Sequence, residues 1–131
     1  MTKSILVEIG SGELIDKITI LEIKSTRIKD AEKLKNISHE LSILSAARDS
    51  ALCGIDGLQD LAVQLKALNE DLWQIEDDIR LCEAEKEFGQ KFIDLARSVY
   101  ITNDKRAAVK KEINFLTGAK IIEEKSYTDF S

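Results

Sequence analysis

From Leu58 to Cys82 apolar residues return at every third or fourth position: Leu58, Leu61, Leu65, Leu68, Leu72, Ile75, Ile79 and Cys82. Only an α-helix, with its period of about 3.6 residues, lines such spacing up on one face; a strand needs a period of two. At ~1.5 Å per residue the segment makes about seven turns, the full height of a small bundle. A single apolar seam of that length has to be covered by other helices. The chain has 131 residues, 44% of them hydrophobic and 33% charged, and no proline. That excludes a disordered polar chain and leaves long helices uninterrupted. At this length one domain buries roughly two-thirds of the surface its unfolded chain exposes, so 1–131 is read as a single helical-bundle domain.

The remaining segments supply the partners. Ile5–Ile9 is a short β-branched run closed by Gly10, and with no second strand to pair with it is expected to be an extended lead-in. Ser11 is placed as the N-cap of a first helix over Gly12 to about Lys29, with Glu13 in its first turn. Leu14, Ile18, Leu21 and Ile28 make one stripe, while Ile15, Ile20 and Ile23 fall outside it. A helix so widely apolar belongs inside the bundle or in a subunit interface. Asp30 caps a second helix carrying Leu34, Ile37, Leu41, Leu44 and Ala51 or Leu52, and Gly54 and Gly57 bracket the turn that leads into the seam. After the seam, Glu85–Gly89 marks a break, with Phe88 packed back and Gly89 taking positive φ. A last helical stretch carries Phe92, Leu95, Ala96, Val99 and Tyr100, is expected to kink or restart at Thr102–Asp104, and ends at Gly118. The expected fold is an all-α antiparallel bundle of four to five helices with an irregular C-terminal tail from Lys120.

Charge is unevenly spread. Asn69–Glu87 holds eight acids against Arg80 and Lys86, whereas Arg97–Lys120 holds six bases against Asp104 and Glu112. The two segments are expected to lie side by side and neutralise each other. The overall net charge of −5 argues against nucleic-acid binding and against a basic membrane surface. No apolar run approaches the ~20 residues of a membrane span, and the chain is read as cytoplasmic. Cys53 and Cys82 form neither a disulfide framework nor a zinc site and are read as buried reduced thiols. His39 lies in a polar stretch and is read as exposed, and Trp73 as packed beside the seam. No phosphate loop, hydrolase triad or zinc-binding motif is present, so no metal, cofactor or catalytic residue is assigned.

One set of residues has binding chemistry. Arg97, Tyr100, Asn103, Asp104, Arg106, Lys110 and Asn114 recur at spacings that converge on one side of a helix and offer guanidinium, phenol, amide and ammonium groups, with Lys125 and Tyr127 joining them if the tail returns. Such a set suits a phosphate, carboxylate or sugar, and it implies binding more readily than catalysis.

Four blocks carry a family resemblance: GELIDKITILEIK (Gly12 to Lys24), LWQIEDDIR (Leu72 to Arg80), FIDLARSVYITNDKRAAVKKEIN (Phe92 to Asn114) and EEKSY (Glu123 to Tyr127). In these the chain resembles a bacterial and phage family of small helical proteins of unknown function. The resemblance implies a link to envelope polysaccharide synthesis and brings no active site with it. The functional expectation is a non-catalytic module that binds a protein partner, a second copy of itself as a homodimer, or a small anionic sugar-phosphate ligand. The alternative is a small all-helical enzyme acting on an anionic metabolite, similar to chorismate mutase in its opening helix, with Lys24, Arg27 and Arg97 gripping a dicarboxylate.

Overall fold

A computed structural model describes residues 3–130, in which the regular structure is entirely helical: α1 (Ser11–Arg27), α2 (Ala31–Ala51), α3 (Leu58–Ala84) and α4 (Gln90–Thr117). Residues 3–10 carry no regular structure, Gly10 being extended at the entry to α1, and no strand occurs among the described residues. The count is four, because α4 passes through Thr102–Asp104 without the expected restart. Of the polar residues that suggested a break there, Asn103 accepts from Arg106 and Asp104 stays exposed on the continuous helix.

α1 is the centre. It packs against each of the other three helices, α3 packs along α4, and α2 touches α1 alone. Its near all-round apolar surface is the reason: Leu14, Ile15, Ile18, Leu21 and Ile23 are all buried although they do not share one stripe. The core formed by Ile15, Leu58, Leu65, Val109 and Ile113 draws on α1, α3 and α4, with Leu52, Ile55, Leu61, Ala62 and Leu68 around it. The α3 seam is deepest at Leu58, Leu65 and Cys82, and Leu68, Leu72 and Ile75 are only half-buried, so the stripe was placed correctly but overestimated in depth. Of the α2 stripe only Ile37 is buried, since a helix with one neighbour has little to bury against.

The helix ends follow local chemistry with two exceptions. Asp30 caps α2 by accepting the Lys33 N–H at 2.9 Å, Gly54 and Gly57 take φ of 74° and 86° in the α2–α3 turn, and Gly118 closes α4 at φ 66°. At the head of α1, however, the cap position is Gly10 and Ser11 is already helical. In the α3–α4 turn the left-handed residue is Lys86, at φ 57°, while Gly89 stays at φ −83°. Phe88 is half exposed and meets Phe92 edge to face at 5.3 Å. Both cysteines are free, Cys82 buried and Cys53 exposed, the latter because it sits in the turn and not on the seam.

Candidate functional site

Asp16 is 1% exposed in the middle of α1, and an unpaired carboxylate at such depth would be costly. It is fully engaged. Its Oδ1 accepts the Arg106 Nε–H at 3.0 Å and the Asn69 Nδ2–H at 2.9 Å, and its Oδ2 accepts from Arg106 Nη2. Asn69 also donates to Thr19 Oγ1 at 2.9 Å, and that hydroxyl donates to the Asp16 carbonyl at 2.8 Å. The two-pronged guanidinium–carboxylate pair ties α1 to α4, and the Asn69 amide ties α1 to α3.

One turn further along α4, Lys110 donates to Glu13 Oε2 at 2.8 Å and lies 3.6 Å from Asp16 Oδ2 and 3.4 Å from Glu123 Oε2 of the tail. Burial alone would lower the Lys110 pKa, but the hydrogen bond that it donates to Glu13 and the charges of Asp16, Glu13 and Glu123 outweigh it and raise the pKa above the ordinary 10.5. Asn114 Oδ1 accepts the Gly12 N–H at 2.8 Å and so satisfies one of the free first-turn donors of α1 from another helix. That contact needs close approach: a β-carbon on Gly12 would lie 2.3 Å from the Lys110 carbonyl oxygen. Among the described residues no buried side-chain nitrogen or oxygen lacks a partner.

The tail returns over α4. Lys111 binds Glu124 at 3.0 Å, and Phe130 stands edge to face on Tyr100 at 5.4 Å. Two clefts result. The larger, about 670 Å³, has Tyr100, Asn103, Asp104, Arg106, Lys125 and Tyr127 in its wall, together with Val99, Thr128 and Phe130. The smaller, about 250 Å³, lies between the N-terminal segment, α4 and the tail, and takes in Glu13, Lys110, Asn114 and Lys125. Eight of the nine residues proposed from sequence therefore line one cleft or the other; Arg97 lines neither. Within them the cations are not equivalent. Arg106 and Lys110 already face Asp16, Glu13 and Glu123, whereas Lys125 makes no ion pair among the described residues.

One expectation changes. The acidic α3 stretch and the basic α4 stretch do not neutralise each other: no ion pair joins them among the described residues, because Arg106 and Lys110 turn toward α1 and Lys111 toward the tail. Lys24, Arg27 and Arg97 line neither of these clefts, and Arg27 instead lies over the Trp73 ring, 5.9 Å from its centroid. The residue that sequence reasoning undervalued is Asp16, whose signal was an acid inside an otherwise apolar helix. Asn69, beside the seam at Leu68, is its counterpart. Among the described residues no group of three His, Cys, Asp or Glu side chains is placed to hold a metal ion, and no helix is long and apolar enough to cross a membrane.

No curated protein and no solved structure matches the chain. A family described as a family of unknown function, DUF6165, matches residues 5–130, and the chain belongs to it.

Proposed function

We propose that this chain is a non-catalytic helical binding module, its helices in antiparallel order, that holds a small anionic ligand of the sugar-phosphate class in the larger cleft between α4 and the tail. The observation that carries the reading is the convergence there of Lys125, without an ion pair among the described residues, with the Arg106 edge, the Asn103 amide and two phenols. Lys125 supplies charge for the anion, Asn103 and Asp104 suit hydroxyl groups, and the faces of Tyr100 and Tyr127 suit a ring. The short connections between the helices support the antiparallel order. The sugar-phosphate class and a role in envelope polysaccharide synthesis rest on the family resemblance.

The test is a thermal-shift series with inorganic phosphate, a hexose 1-phosphate and a nucleotide sugar. A ligand at ~100 times its dissociation constant adds ~2.7 kcal/mol of stability. Lys125→Ala is expected to abolish that shift and Arg97→Ala, outside the cleft, to leave it unchanged. No shift with any of the three compounds would remove this reading.

A second reading is favoured by a different observation. Ile5, Leu6 and Val7 are 87%, 95% and 72% exposed and outside any helix, and residues 3–9 make no backbone hydrogen bonds with other described segments. An apolar segment with free backbone groups suits pairing with a protein partner or a second copy. Sedimentation velocity on the wild type and Leu6→Asp decides for self-association: a monomer in both would remove the homodimer.

A further inference from the structure

A third cleft, which shares Asn103 and Arg106 with the larger one, has Ile20, Ile23, Leu72 and Trp73 as its apolar lining and a volume of about 440 Å³. We propose that it is a docking surface for a basic segment of a partner protein, one that presents a Leu- or Phe-sized side chain next to an Arg or Lys. This goes beyond the ligand reading above and does not rest on it.

The occupant is argued from charge and from the ring. Asp77 stands exposed in the cleft wall, and Glu70 and Asp71 stand exposed on neighbouring turns of α3; none of the three makes an ion pair among the described residues. Of the α4 cations, Arg106, Lys110 and Lys111 are committed to α1 and the tail, and no α4 cation makes an ion pair with these three acids among the described residues. Within the wall, Glu76 is matched by Arg80 and Arg106 by Asp16, which leaves Asp77 as the charge still open to a partner. An anionic lipid surface or a nucleic acid would be repelled by this face. Trp73 is half-buried with the Arg27 guanidinium over its ring, so the ring suits a planar cation, and a partner's Arg would share or displace that contact. The apolar lining supplies the anchor pocket and Asp77 the rim contact, the usual division of labour at an interface.

Trp73 is the only tryptophan, so its emission reports on the cleft directly. The probe is a short dye-labelled amphipathic helical peptide of Leu, Arg and Ala, with a version in which Glu replaces Arg as its control. Saturable anisotropy with the basic peptide, accompanied by a shift of Trp73 emission, is expected, and the acidic peptide should give neither. Asp77→Lys should weaken binding about tenfold, while Glu87→Lys, the same charge change in the α3–α4 turn, should alter it less than about twofold. Binding that leaves Trp73 emission unmoved, or that Asp77→Lys and Glu87→Lys weaken equally, would show attraction to overall charge and overturn the proposal. So would an absence of binding.

Discussion

At Gly12 propensity and packing pull in opposite directions. In an exposed helix Gly→Ala gains about 1 kcal/mol. Here the added methyl would meet the backbone of Lys110, which cannot rotate away, and would push α1 off α4. Gly12→Ala is therefore expected to destabilise by about 3 kcal/mol, as overpacking does; chemical denaturation showing a gain would mean that the two helices are further apart. Arg106 makes a similar point about charge. Were it a surface cation, Arg106→Ala would cost no more than ~1 kcal/mol. Because it faces the buried Asp16, the change leaves a carboxylate with Asn69 and the more distant Lys110 as its remaining partners, and a loss of about 3 kcal/mol is expected in urea unfolding. A loss below ~1 kcal/mol would show that Asp16 is solvated. The Asp16 pair was not legible in the sequence, since nothing local says which of six bases on a distant segment an acid will meet.

Among the elements, α3 shows what a regular pattern can and cannot convey. Spacing located its buried face correctly, but depth along that face depends on which neighbour covers each turn. Leu65, fully buried in the core, should lose about 2–5 kcal/mol on change to Ala. Leu68 lies at the margin of the same cluster, and Leu68→Ala should lose less than half as much. Equal losses would mean that both positions are covered to the same depth. For α4 the expected restart failed for a physical reason. Asn103 and Asp104 are good caps when their side chains have nothing else to bind, yet here Asn103 accepts from Arg106 at 3.5 Å and the helix runs on, which is what brings Arg106 to Asp16. The Asp30 cap, the Gly54–Gly57 turn and the Gly118 stop were readable because each is decided within a few residues.

For the molecule as a whole, Lys110 joins α1, α4 and the tail, and its raised pKa links this junction to pH. The group binds its proton more tightly when folded, so its contribution is complete below the ordinary value of 10.5 and is lost as pH rises through the higher folded value. Melting temperatures measured from neutral pH to about 12 should therefore fall more steeply for the wild type than for Lys110→Gln at the alkaline end. Parallel curves would show that Lys110 does not stabilise the fold through its charge. The sequence alone determined the helical class and the caps and turns that delimit three of the four helices. These depend on periodicity and on contacts between near neighbours in the chain. Only the tertiary structure decided that α1 is the centre, that Asp16 and Glu13 pair with Arg106 and Lys110 of α4, and that the tail folds back to make the clefts. Each of these pairs groups up to about a hundred residues apart, as Gly12 with Asn114, and such pairs are selected by the packing of helices in space, which no local pattern encodes.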